Sequence, residues 1–373
     1  MSTSTSTNVN TNLKALTDAG VSVWLDQISR ELVAGGELAR LIAQDSLRGV
    51  TSNPSIFLKA IIDTDHYDEL IETLARDGRD AKAIYDAIAV GDVQRGCDTL
   101  RSVFDASGGH DGFVSIEVAP DLAHDTDATL QSARTYWQDV DRPNVMIKIP
   151  GTPEGVGAIE EAIYEGINVN ITLLFSVAAY QAVAEAYIRG LERRRAEGKS
   201  LDVNSVASFF VSRVDTNADK KLEAIGGDAT KLAGTAAIAN ARAAYVRFKE
   251  IFSGDRWDGL AAGGAPLQRP LWASTGTKNP AYSDIKYVDQ LVAPHTVNTM
   301  PMATLQAFAD HGTVPGMTAE IDPSADLAAL EHAGVDMEKV TAELLVEGID
   351  LFIGAMNNLL DGIEQRRTAF AAS

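Results

Sequence analysis

Cysteine is almost missing from this chain of 373 residues: Cys97 is the only one, so no disulfide can close within it and nothing points to an oxidising compartment. One thiol and six histidines without H-E-x-x-H spacing leave no readable zinc site, and no other metal or cofactor is expected. No apolar run approaches the roughly 20 residues that a membrane helix needs. The opening MSTSTSTNVN has neither a basic region nor an apolar core, unlike a signal peptide or anchor. A disordered tail over residues 1–12 of a cytoplasmic protein is the expectation. Positive charge is scarce, with 32 Lys and Arg against 52 Asp and Glu and a formal net charge of −20. Nucleic acids and anionic membranes would repel such a chain, so neither is expected as a partner. An anionic ligand would have to meet a local cluster of cations.

What is present is a regular alternation. Hydrophobic residues make up 45% of the chain, ample for a large core. Short β-branched runs stand at 21–26, 49–55, 113–119, 145–150, 167–175, 206–212, 270–275 and 290–296. Stretches with helical apolar spacing separate them, such as SVAAYQAVAEAYIRGLERRRAEG, and these begin near Asp, Ser or Thr. Strand, helix, strand repeated in this way implies a parallel sheet, and eight such units close a (β/α)8 TIM barrel of α/β class. An open doubly wound sheet is the alternative, disfavoured because no strand-to-helix turn carries a full G-x-G-x-x-G. No Pro- or Ser-rich hinge interrupts the pattern, so residues 13–373 read as a single domain. Residues 315–373 turn fully helical. Val340, Leu344, Leu345, Ile349, Phe352, Met356, Leu359, Leu360 and Ile363 share one face there, as in additional C-terminal helices packed on the barrel. A subunit-contact helix is the other reading, which leaves monomer and homodimer both open.

Strand ends in such a barrel converge on one mouth, where polar residues tend to be catalytic. Here the runs carry Asp26, Thr51 and Asn53, Glu117, Lys148, Asn170 and Thr172, Ser208 followed by Arg213, and Ser274 with Thr275. Each breaks the apolar pattern of a strand buried on both faces. For Thr51, Thr172 or Ser208 alone, a capped helix start or a satisfied core hydroxyl explains as much. Lys148 is different, because it stands among Met146, Ile147, Ile149 and Pro150, and burying an ammonium costs several kcal/mol. Desolvation would favour a neutral amine able to attack a carbonyl and form a Schiff base. A fixed cation paired with phosphate, Asp26 or Glu117 is the equal alternative. Two carboxylates at the same mouth favour chemistry, since imine formation and C–C cleavage both require proton transfers.

Other motifs lead nowhere. EGKS at 197–200 ends like a phosphate-binding P-loop, but Arg193 occupies the position that needs glycine. Arg193–Arg195 read as a solvated helix end. No G-x-S-x-G elbow is present. His295, in APHTVNTMP, is the one histidine expected near the mouth, where it would either touch substrate or make a structural hydrogen bond.

The segments GVTSNPSIFLKAI, NVMIKIPGTPEGVGAIEEA, GINVNITLLFSVAAYQAVAEAY and SFFVSRVD closely resemble transaldolase, a Schiff-base aldolase-type barrel family of the pentose phosphate pathway. The resemblance spans roughly residues 20 to 300. It implies that Lys148 forms the imine, that Asp26 exchanges the proton of the substrate C4 hydroxyl, and that Glu117 with Thr172 holds a water. It also implies that Asn53 and Asn170, with Thr51 and Ser208 nearby, face the dihydroxyacetone hydroxyls of a phosphorylated sugar, and that Arg213 binds the phosphate. After the seventh run, where many relatives read ASF and then a basic residue, this chain reads ASTGTKNP. Ser274 and Lys278 are assigned to the phosphate. Related fructose-6-phosphate aldolases release the three-carbon unit to water, whereas Glu117 and the apolar Phe210 resemble the transferase set. A sugar-phosphate-binding barrel without catalysis is the rival from another class.

Overall fold

The β-branched runs form strands where neighbours bury both of their faces. In a computed structural model that describes residues 9–371, the strands are β1 (Val21–Leu25), β2 (Leu47–Val50), β3 (Phe113–Glu117), β4 (Val145–Pro150), β5 (Val169–Leu174), β6 (Ser205–Phe210), β7 (Arg269–Ala273) and β8 (Thr296–Met300). They close in sequence order into one parallel barrel, with β1 paired to β8 from Val21↔Thr296 to Leu25↔Met300. Helices flank this (β/α)8 barrel. No helix among the described residues is long and apolar enough to cross a membrane.

The register decides what the mouth contains. Glu117 lies beside Lys148, Lys148 beside Asn170, and Pro150 beside Thr172. Because side chains alternate along a strand, Asn170 and Thr172 share a face, as do Ser115 and Glu117. The opposite, N-terminal end is closed by structure alone. The Trp24 indole donates to Ser22 Oγ and Asp111 Oδ1, both at 3.0 Å, Ser22 also bonds Asp111, and Arg269 pairs with Asp111 at 3.4 Å.

Three expectations change. Of the tail expected over 1–12, Thr11 and Asn12 instead open a helix, Thr11–Asp18, whose Asn10 cap accepts from the Asn12 and Leu13 amides, and residues 1–8 lie outside the described residues. The run at 49–55 is strand only to Val50. Asn53 instead caps the helix Pro54–Ile62 by accepting from the Ile56 amide, and Pro54 occupies the first turn, where its missing N–H is no loss. The eighth strand was misplaced at 290–296. Leu291, Val292 and Ala293 are buried, but as a connection whose Leu291 carbonyl accepts from the Trp272 indole. His295 therefore precedes β8, exposed and at φ +60°, at the end of the barrel away from the mouth. It has no place in the site.

The C-terminal helix Met337–Ala371 packs back on the barrel against the helices Pro54–Ile62, Asp68–Arg76, Ala81–Ala106 and Ser212–Ile225. Val340, Leu344, Ile349, Phe352, Met356, Leu359 and Ile363 are buried, with Leu345 and Leu360 partly so.

Gly49 faces Trp24 across the β1–β2 register, with the fully buried indole 2.4 Å from where a Cβ would sit. Gly49→Ala should lower stability by about 1–3 kcal/mol through overpacking. Gly354→Ala, in the C-terminal helix where nothing lies within 4 Å of the added Cβ, should raise it by about 0.5–1 kcal/mol. Urea denaturation midpoints of the two variants check both signs.

Candidate active site

Lys148 sits where β4 turns its inner face to the mouth, and it is 4% exposed. Its Nζ donates to the Ser52 carbonyl at 3.0 Å and lies 3.2 Å from Glu117 Oε2. The Ser52 carbonyl is free for this because the chain leaves the strand ladder after Thr51, whose amide still donates to the Leu25 carbonyl at 2.9 Å, while the Ser52 hydroxyl anchors the segment to the Ser115 carbonyl at 2.7 Å. The Glu117 contact is an ion pair that does not align as a hydrogen bond, so both Glu117 oxygens are buried without a hydrogen-bonding protein partner. Thr172 Oγ1 is in the same state. Burial pushes the Glu117 carboxyl up to about 7, against the lowering effect of Lys148, with Asp26 adding a smaller upward push.

Asp26 follows β1, and its amide donates to the Met300 carbonyl at 2.8 Å. Thr51 Oγ1 donates to Asp26 Oδ1 at 2.6 Å, which leaves Thr299 Oγ1 as donor to Thr51 at 2.7 Å. Burial raises the Asp26 carboxyl above its ordinary value; Lys148, then Thr51, Lys278 and Arg213 work in the other direction.

A cavity of about 340 Å³ opens from Lys148 to the surface. Asp26, Thr51, Asn53, Lys148 and Ser208 line its inner part, while Phe210, Arg213, Ser274 and Lys278 line the outer part. Glu117, Asn170 and Thr172 are not on its wall but buried beside the lysine. Asn170 is engaged on both sides, donating to Ser115 Oγ at 2.9 Å and accepting from Ser208 Oγ at 2.7 Å. Ser274, at φ +55°, shares a hydrogen bond of 2.9 Å with Ser212 Oγ. Arg213 is partly buried, which draws its guanidinium below its usual value, and lies 5.6 Å from the Phe210 ring. Thr275 points away, donating to the Thr299 carbonyl at 2.9 Å.

Five participants went unread in the sequence. Ser115 and Ser52 anchor the site, and Ser115 was findable as the residue two before Glu117 on the same strand face. Thr299 belongs to the strand that was misplaced. Lys59 lines the cavity from the helix Pro54–Ile62, and Phe352 roofs it with its ring 5.8 Å from Lys148 Nζ. Neither shows a local signal beyond helical spacing.

Two carboxyls of raised pKa flank one buried lysine at a cationic mouth, which is an arrangement for covalent and acid–base chemistry on an anionic carbonyl compound. The family model described as Transaldolase/Fructose-6-phosphate aldolase matches residues 23–363. The chain belongs to that transaldolase family. Similar curated relatives are the transaldolase of Thermobifida fusca, 50% identical over 96% of this chain and 98% of that one, and the transaldolase of Saccharopolyspora erythraea, 49% identical over the same shares. A Mycobacterium bovis transaldolase is 50% identical over 94% of this chain and 96% of its own length.

The Glu117 value can be read directly, by infrared titration of its carboxyl band. Because Lys148 lowers that value, Lys148→Met should carry the midpoint above the wild-type value of about 7. The sign for stability follows. A folded value raised to about 7 over an unfolded one near about 4.3 gives a contribution fully present below the unfolded value and lost as pH rises through the folded one. Lys148→Met should carry the end of that loss to higher pH, read from urea denaturation midpoints across pH.

Proposed function

We propose that the protein is a transaldolase, a transferase that carries a dihydroxyacetone unit from sedoheptulose 7-phosphate to glyceraldehyde 3-phosphate, yielding erythrose 4-phosphate and fructose 6-phosphate in the non-oxidative pentose phosphate pathway. The observation that carries this reading is the buried Lys148 amine, 3.2 Å from Glu117 and on the wall of a cavity that also holds Asp26.

Lys148 Nζ attacks the ketose C2 carbonyl, and its proton passes to Glu117, whose value of about 7 suits it to accept near neutral pH and to return a proton as water leaves. Glu117 and Thr172 hold the water of this step between them, using the buried oxygens that no protein group satisfies. In the iminium so formed, Asp26 takes the C4 hydroxyl proton, the C3–C4 bond breaks, and its electron pair becomes the enamine on Lys148. Thr51 fixes the Asp26 carboxyl through the 2.6 Å bond, and burial raises its basicity for that transfer. The aldose leaves and a second aldose enters. The enamine carbon bonds to the new carbonyl, Asp26 protonates the forming hydroxyl, and hydrolysis frees the product.

Asn53 and Ser208 face the hydroxyls of the three-carbon unit, and Asn170, expected beside them, stands behind the cavity wall and orients the Ser208 hydroxyl. Arg213, Ser274 and Lys278 hold the phosphate, Arg213 as a forked donor and Lys278 as an exposed point charge. These cations give an anionic substrate its local attraction on a chain of net charge −20.

Borohydride added with fructose 6-phosphate should reduce the imine and add mass at Lys148, read by peptide mass spectrometry. An enzyme that releases free dihydroxyacetone equally well without an aldose acceptor would be a hydrolytic aldolase instead, and one that traps nothing would be a binding protein. Lys148→Ala should fold and lose both trapping and transfer. Asp26→Asn should still trap, while C–C cleavage falls by about 10²–10⁴-fold, as for loss of one general acid–base group.

A further inference from the structure

The C-terminal helix Met337–Ala371 is fastened on both sides of the mouth. Towards its start, Glu343 Oε2 accepts from Lys221 Nζ at 2.8 Å and Asn217 Nδ2 at 3.4 Å, both on the helix that carries Arg213. Near its end, the Arg366 guanidinium donates to Asp68 Oδ1 at 2.6 Å and to the Ile62 carbonyl at 2.8 Å, where the helix carrying Lys59 stops. Between these anchors the helix presses on the end of β5. A Cβ at Gly348 would lie 3.1 Å from Leu173 and 3.5 Å from Phe175, and Leu173 itself is turned to φ +59°. One helical turn later comes Phe352. It is 3% exposed, on the cavity wall, with its ring 5.8 Å from Lys148 Nζ and 6.0 Å from the Arg213 guanidinium.

Phe352 is therefore an apolar roof held over the reacting amine from outside the barrel. Resting on the Schiff-base reading above, we propose that Phe352 sets the partition between transfer and hydrolysis by keeping water off the lysine-bound three-carbon unit while one aldose leaves and the next arrives. The competing step is explicit. A solvent proton adds to the enamine carbon, water oxygen then bonds to C2 of the resulting iminium, both water protons pass to Lys148 Nζ as the C–N bond breaks with its electron pair going to that nitrogen, and free dihydroxyacetone departs. Both the proton and the water must reach a spot that the Phe352 ring covers, while the incoming aldose approaches along the side of Arg213 and Lys278. An apolar ring also favours the neutral enamine and the spread-out charge of the iminium over the compact ammonium that hydrolysis restores.

The test is a ratio: dihydroxyacetone released from fructose 6-phosphate without acceptor, divided by transfer to an aldose phosphate with acceptor, both on the full-length protein. The ratio does not depend on how much of a preparation is folded, so a merely structural role would not move it. Phe352→Ala should raise it about tenfold, and Phe352→Leu, which keeps apolar bulk, should fall between that and wild type. The double variant Glu343→Ala, Arg366→Ala, which releases the helix without touching the site, should raise it as well. Wild-type ratios in Phe352→Ala and in the double variant would overturn the proposal. Wild-type protein that traps no adduct at Lys148 would overturn the Schiff-base reading instead, so the two failures are distinguishable.

Discussion

An amine and a carboxyl 3.2 Å apart inside a closed barrel constrain everything built around them. Taking two charges out of water costs several kcal/mol each, and their attraction regains it only with further hydrogen bonds. The Ser52 carbonyl supplies one to Lys148. Glu117 has no well-aligned protein donor, and burial lifts its carboxyl to about 7 in spite of Lys148. The pair is an expensive way to stabilise a fold and an effective way to keep a proton mobile at neutral pH. That is the exchange that imine formation and hydrolysis require.

The barrel separates this site from the parts that hold the molecule together. At one end Trp24, Ser22, Asp111 and Arg269 make a network bonded within itself. At the other, side chains from all eight strand ends or the turns just after them converge, and two positions, Leu173 and Ser274, adopt positive φ without being glycine. Strain of that kind persists only where surrounding contacts over-determine it. At β5 the contact is the C-terminal helix. At β7 it is the Ser212–Ser274 hydrogen bond, which ties the Ser274 turn to the helix bearing Arg213.

Much of this is legible in the sequence. A lysine inside an apolar run has few explanations, and the convergence of strand ends on one mouth put Glu117 and Asn170 near it. The alternation of runs and helices carried the closed barrel. What escaped did so for physical reasons. Leu291–Ala293 are as apolar as a strand because they are buried, yet their backbone serves a connection, so the eighth strand and His295 were displaced. Asn53 is a helix cap as much as a site residue, and a local run cannot show where the ladder stops. Phe352 looks like any core residue of an amphipathic helix; that it roofs the lysine depends on where a helix some 200 residues further along the chain comes to rest, which periodicity does not encode.

The central claim is that Glu117 takes the proton Lys148 must lose. Single-turnover rates of borohydride-trappable adduct formation, followed across pH in the wild type and in Glu117→Gln, test it most directly. The wild-type rate should fall on the acid side of a midpoint near 7, set by the Glu117 carboxyl, and in Glu117→Gln that limb should vanish together with most of the rate. An unchanged rate and an unchanged acid limb in the variant would contradict the account.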